Sequence, residues 1–331
     1  MFRTPPLRAR RRAAVFAVLV PVVMASLSST ACSAPPPSAP APAPPTTSGQ
    51  PAPTPAARQT ALPFTGLSNP QGLAVNSAGD VYVVDYAGGY HGAPGHLLKL
   101  AAGTNTQTVV PLDGVDRPGA IAADTAGNVY VSDYADRRVV KLAAGTNVQT
   151  VLPFTDLQGP GSVAVDTAGN IYVIDGGSDA APQEYRVVKL AAGTNAQTVL
   201  PFSGLLLPFS VAADTAGTVY VVDAASGTAM THGACCASPR VLSLSAGSNA
   251  QTVLPIKDLD TPTGMAVDSV GNLYFVDRNH NRVVQYIPAS NTQSVLPITG
   301  LKSPADVAVD SAGTVYVSDQ DRQQVVELTQ H

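Results

Sequence analysis

Pro118-Gly119-Ala120-Ile121-Ala122-Ala123-Asp124, followed by Gly127-Asn128-Val129-Tyr130-Val131-Ser132-Asp133, Arg138-Val139-Val140-Lys141-Leu142 and Gln149-Thr150-Val151-Leu152-Pro153, is one copy of a pattern that runs six times along the chain. Each copy opens on a proline, at Pro70, Pro118, Pro160, Pro208, Pro262 and Pro304, so the spacings are 48, 42, 48, 54 and 42 residues. Within a copy, four short β-rich runs are separated by Gly, Asp and Asn turn signals, which predicts four strands per unit. Six such units arranged around an axis predict an all-β fold, a six-bladed β-propeller.

The strand runs, such as Val81-Tyr82-Val83-Val84 and Leu273-Tyr274-Phe275-Val276, are continuously apolar rather than alternating. That is expected of blades covered on both faces by their neighbours. Alanine recurs at one inner-strand position, as Ala74, Ala122, Ala164, Ala212, Ala266 and Ala308, and is expected to suit a crowded ring around the central channel. The sixth copy stops at Leu328 without a fourth strand. The run Arg58-Gln59-Thr60-Ala61-Leu62-Pro63-Phe64 matches the fourth-strand run Val148 to Phe154, so an N-terminal strand is expected to close the last blade and remove the open edge.

These copies resemble NHL repeats over residues 58 to 328. The stretch from Arg138 to Phe154 closely resembles the extracellular sensor propeller of a mycobacterial transmembrane serine/threonine kinase. The kinase domain itself has no counterpart here, so the resemblance implies an extracytoplasmic recognition module and no phosphotransferase.

The N-terminus agrees with export. Arg8, Arg10, Arg11 and Arg12 precede an apolar run from Ala13 to Leu27, too short for a membrane span, which predicts a signal peptide over residues 1–31. Ser29-Thr30-Ala31-Cys32 is similar to a bacterial lipobox, with Cys32 the lipidated residue, although Ser29 stands where Leu is usual; the same residues also fit an ordinary small-x-small cleavage site. Residues 32–57 read as a disordered spacer, with ten prolines between Pro35 and Pro55. The domain expected to fold is 58–331, exported, lipid-anchored at the outer face of the cell membrane or envelope, and monomeric. A net charge of −4 offers no basic face, so nucleic acid is not an expected partner.

Six carboxylates end the second strands: Asp85, Asp133, Asp175, Asp223, Asp277 and Asp319. They invite a metal, but capping of their own loops and pairing with the arginine that opens the third strand, as in Asp133 with Arg138 or Asp277 with Arg282, explains them better. Asp124, Asp166, Asp214, Asp268 and Asp310, with Asn76 in the first copy, are expected to cap Asx turns. With only Glu184 and Glu327 as glutamates and no Gly-x-Ser-x-Gly elbow, neither a paired-carboxylate site nor a nucleophile triad is legible. Propeller lactonases use a Glu, Asn and Asp metal site and streptogramin-lyase-like propellers a His and metal site; no matching set is found, so no enzyme, metal or cofactor is expected.

The insertions point to binding. Copies one, three and four gain residues between the second and third strands, on a single face, and loops on a rigid scaffold commonly carry function. The fourth insertion holds Met230, His232, Cys235 and Cys236. Adjacent cysteines sit only ~3.8 Å apart at Cα, so a vicinal disulfide is strained; the bonded pair, free thiols, and a soft-metal site with His232 all stay open. His91 and His96 belong to the opposite blade, and His280 reads as a solvated loop residue. Leu205-Leu206-Leu207-Pro208-Phe209 replaces polar residues found in other copies and is either an apolar plug or an exposed patch. Ligand-binding candidates are therefore Leu206, Phe209, His232, Cys235 and Cys236, with Gln71 and Thr263 after the opening prolines of copies one and five. The leading expectation is a propeller that binds or senses a protein, peptide or envelope ligand on its loop-rich face. A metal-dependent lactonase-like hydrolase or lyase and a structural scaffold are the alternatives.

Overall fold

The computed structural model describes residues 57–86, 95–115, 117–176, 184–224, 238–248 and 250–330. Cys32 with its leader and most of its spacer, His91, and the insertion segment with Met230, His232, Cys235 and Cys236 lie outside those residues.

The described residues form six four-stranded antiparallel sheets, each a meander from inner to outer strand. Inner strands begin at the six prolines: Pro70–Val75, Pro118–Ala123, Pro160–Val165, Pro208–Ala213, Pro262–Val267 and Pro304–Val309. Each touches the next, and the first touches the last, so the sheets close into a six-bladed β-propeller. In the sixth blade the outer strand is Arg58–Ala61, paired with Gln324–Thr329 in the register Arg58↔Thr329 to Ala61↔Val326. The N-terminal strand thus closes the ring as the repeat pattern predicts.

The core lies between blades. Val84 and Leu97 of blade 1 pack with Val129, Val131 and Val140 of blade 2, and Ala308 and Tyr316 of blade 6 pack with Leu73, Val81 and Val83 of blade 1. Side chains such as Val83, Val131, Phe275 and Val317 are fully buried, which explains the continuously apolar strands. Burying one such side chain contributes about 1.5–3 kcal/mol, so closing the last seam is worth several of these.

The alanines do not line the channel mouth. Each pairs across to a second-strand tyrosine, as Ala74↔Tyr82, Ala164↔Tyr172 and Ala308↔Tyr316, and Ala74, Ala164 and Ala308 are buried with residues of the next blade, in the seam between blades. The tyrosine hydroxyls donate to the turn carboxylates: Tyr172 to Asp166 at 2.9 Å and Tyr220 to Asp214 at 3.0 Å. Asp166 Oδ1 also accepts from the Ala168 and Asn170 amides at 3.0 and 2.8 Å, the expected Asx turn. Burial, and then the neighbouring carboxylate, pushes the Tyr220 and Tyr274 hydroxyls up to about 12.

Candidate functional site

One end of the propeller is built from a repeated pair. The aspartate closing each second strand faces the proline opening the inner strand, as in Pro70↔Asp85 and Pro208↔Asp223. All six aspartates are buried, none more than 2% exposed. Their carboxylates reach mainly to the segment leading into the inner strand rather than to their own loops, a correction to the loop-capping expectation. Asp175 accepts from the Gln158 and Gly159 amides at 2.8 and 2.9 Å, and Asp223 from Leu206 and Leu207 at 3.1 and 2.7 Å. Asp133 accepts from Asp136 in its own loop, at 3.4 Å. The physical reason is register: pairing with the proline brings the carboxylate beside the preceding two amides, which have no ladder partner.

The expected arginines complete these anchors, with Nε donated by Arg138 to Asp133 at 3.1 Å, by Arg186 to Asp175 at 2.9 Å, by Arg240 to Asp223 at 3.0 Å and by Arg282 to Asp277 at 2.8 Å. In blade 6 the third strand opens with Gln324 instead. Burial there raises the Asp319 carboxyl above its ordinary value, against the lowering by the Lys302 amide. His280 Nδ1 lies 2.8 Å from Asp277 Oδ2, so this histidine is held within its own blade.

At this end the channel widens into a cavity of about 820 Å³. It is lined by the first residues of the inner strands, by Arg117 before its proline, and by Tyr86, Tyr134 and Arg278 after their aspartates. The last position reads Tyr86, Tyr134, Gly176, Ala224, Arg278 and Gln320 around the ring. Its amide donates back to the entering segment, as Gly176 to Gly159 O at 2.9 Å and Ala224 to Leu207 O at 2.9 Å. Tyr86 donates its hydroxyl to Pro118 O. The Arg117 guanidinium lies over the Tyr134 ring, 5.9 Å from its centre. Arg278 donates to Ser303 Oγ at 3.0 Å and to Gln320 Oε1. Gln320 is 9% exposed, and its Nε2 has no partner among the described residues.

Deeper in, the third inner-strand residue of the six blades is Gly72, Ala120, Ser162, Ser210, Gly264 and Asp306. Where this residue has a hydroxyl or carboxylate, it accepts the amide of the next blade: Ser162 from Val211 at 3.1 Å, Ser210 from Met265 at 3.1 Å and Asp306 Oδ2 from Leu73 at 2.9 Å. Asp306 Oδ1 also accepts from the Val307 amide at 2.9 Å. A Cβ at Gly264 would come within 2.4 Å of Asp306 Oδ1, so the carboxyl is accommodated by a glycine in the preceding blade. The residue keeps some surface on the channel while its carboxyl is desolvated, and burial pushes its pKa up to about 7 despite both amides.

Of the sequence candidates, Gln71, Phe209 and Thr263 converge on this cavity. Gln71 Nε2 donates to Asn69 Oδ1 at 3.0 Å, and Thr263 Oγ1 donates to Ala305 O at 2.8 Å. The apolar run divides: Leu205 is buried against Tyr172, Val187 and Val211, Phe209 is 43% exposed on the cavity wall, and Leu206, 55% exposed, lies outside it. Arg117, Arg278, Tyr134 and Asp306 were missed. For Arg117, Arg278 and Asp306 the signal is visible in the repeats, because each occupies a position that the other copies fill differently, whereas Tyr134 shares its residue type with Tyr86. No three of His, Cys, Asp and Glu cluster among the described residues.

A family model described as NHL repeat matches residues 67–89. Comparison with curated protein sequences gives no match. Among solved structures, streptogramin B lyase aligns with a TM-score of 0.56 at 14% identity, over 83% of this chain and 98% of that one. A catalytically inactive virginiamycin B lyase from Staphylococcus aureus, solved with Quinupristin, gives 0.57 at 12%, over 83% and 99%. A chain of the nidogen/laminin complex gives 0.55 at 19%, over 72% and 91%. At these identities the likeness concerns the propeller fold.

Proposed function

We propose that this protein is an exported, lipid-anchored binding propeller whose loop-rich end takes a ligand into the channel mouth. The observation that carries this reading is where the repeats differ. The outer glutamines, the Asx turns and the buried aspartates recur from blade to blade, whereas Gln71, Arg117, Phe209, Thr263, Arg278 and Asp306 depart from their counterparts and share one 820 Å³ cavity. A cavity of that size, part apolar with a few placed polar groups, suits a small molecule or the end of a chain. The leader, Cys32 and the proline-rich spacer support a location outside the cell membrane. Similar propellers have been solved with Quinupristin and in complex with laminin, so the architecture serves both small and large ligands. The lyase and hydrolase reading draws on fold likeness alone, which carries no chemistry to this chain.

The test is calorimetric screening of envelope-derived peptides and saccharides against the parent, Phe209→Asp and Lys141→Glu. Phe209→Asp puts an unpaired charge where a bound ligand excludes water and is expected to weaken a true ligand at least tenfold. Lys141, whose ammonium lies 5.7 Å from the Tyr130 ring on a third strand, serves as control. A ligand bound equally by the parent and a folded Phe209→Asp protein would overturn the site.

A further inference from the structure

Building on that binding role, we propose that the channel mouth accepts a short linear peptide with both ends free, inserted amino end first. Its ammonium meets Asp306 and its carboxylate meets Arg278. Asp306, Arg117 and Arg278 are the charged side chains on the cavity wall. The arginines come from blades 2 and 5, opposite one another in a six-fold ring, and both stand at the level of the opening prolines. Asp306 lies two residues past its opening proline, which at about 3.3 Å per residue sets its backbone roughly 7–10 Å deeper in the channel than the backbone of the arginines.

The valences agree with an ammonium at the floor. Each Asp306 oxygen accepts one amide, from Leu73 or Val307, and a carboxylate oxygen has two lone-pair positions, so neither oxygen is saturated. Ser162 and Ser210 add hydroxyls at the same level of the ring. One carboxylate with hydroxyls is a thin donor set for a divalent cation, which takes six or more oxygens, and it is ample for a primary ammonium with three donors. At the mouth, Arg278 is braced by Ser303 and Gln320, so its guanidinium is held in place for a planar carboxylate. The length also fits. An extended tripeptide spans about 10 Å at up to ~3.6 Å per residue, and its middle side chain comes beside Phe209 and Met265 on the wall.

The experiment is calorimetric titration of the full protein at pH 7 with alanyl-leucyl-alanine, its N-acetyl form and its C-terminal amide. The free tripeptide is expected to bind at least tenfold more tightly than the acetylated one and at least fivefold more tightly than the amide. Asp306→Asn should erase the first difference, and Arg278→Gln the second while leaving the first. The peptide arms use the unaltered protein, so they hold even where a variant fails to fold. Equal affinities for free and acetylated peptide, or no binding of the free peptide, would overturn the inference. If another ligand is then found that Phe209→Asp abolishes, the binding role stands without the peptide.

Discussion

Gln59 and Thr299, 240 positions apart, hold each other reciprocally: Gln59 Nε2 donates to Thr299 O at 2.9 Å, and the Thr299 amide donates to Gln59 Oε1 at 2.8 Å. The same clamp recurs in every blade, with Gln107 on Thr65, Gln149 on Asp113, Gln197 on Thr155, Gln251 on Ser203 and Gln293 on Lys257. In each, an outer-strand glutamine ties down the segment that enters its own blade. Only for Gln59 does the clamp join the two ends of the propeller sequence.

Closing the ring through Gln59 has a measurable cost of removal. Gln59→Ala deletes a solvent-exposed two-bond clamp and is expected to cost about 1 kcal/mol, a lowering of the melting temperature by a few degrees. Gln149→Ala, within blade 2, should cost a similar amount. Thermal unfolding followed by circular dichroism checks both, and an unchanged midpoint for Gln59→Ala would deny the clamp an energetic role.

Asp223 couples stability to the site. Its buried carboxylate holds the Leu206 and Leu207 amides and the Arg240 side chain. Asp223→Ala orphans those amides and is expected to cost about 3 kcal/mol, because a buried pair is broken from one side. Leu206→Ser, at an exposed position, should stay within about 0.5 kcal/mol. Denaturant midpoints compare the two, and equal midpoints would mean that the aspartate ring is dispensable.

Asp306 gives the fold a pH dependence of defined sign. Its carboxyl is pushed from an ordinary 3.8 to about 7 by burial, so between those values the native state holds a proton that the unfolded chain has lost. Stability from this group is therefore complete below about pH 4 and is lost as pH rises through 7. Because the residue keeps some surface on the channel, the effect is expected to be on the order of 2 kcal/mol, about half the full linkage value. Burial raises Asp319 and Glu327 in the same direction, so Asp306→Asn should flatten the profile between pH 5 and 8 in part. Identical profiles for parent and variant, measured as urea midpoints, would show that the carboxyl titrates normally.

Cys32 tests the proposed location. The mature protein is expected to partition into detergent, and Cys32→Ala should release it to the aqueous phase or leave it unprocessed. An unmodified mature N-terminus on the parent protein, read by mass spectrometry, would dismiss the anchor.

The repeat made the architecture legible, because a blade is a local object: its four strands, its Asx turn and its Asp and Arg partners lie within one copy. Even ring closure could be read, since the run around Gln59 repeats the pattern of Gln149. The role of the alanines could not, because the second-strand register that sets them opposite tyrosines appears only when the strands are paired. The site was half visible. Phe209, Gln71 and Thr263 follow the opening prolines and stood out as irregular, whereas Arg117, Arg278 and Asp306 sit at three different positions of three different copies. Only closing the sheet into a ring turns those positions toward one axis, and only there does burial give an ordinary aspartate a raised pKa, against the lowering by the Leu73 and Val307 amides. Sequence determined the blade through local hydrogen bonding and patterning; the tertiary ring decided which departures from the repeat face each other across the channel.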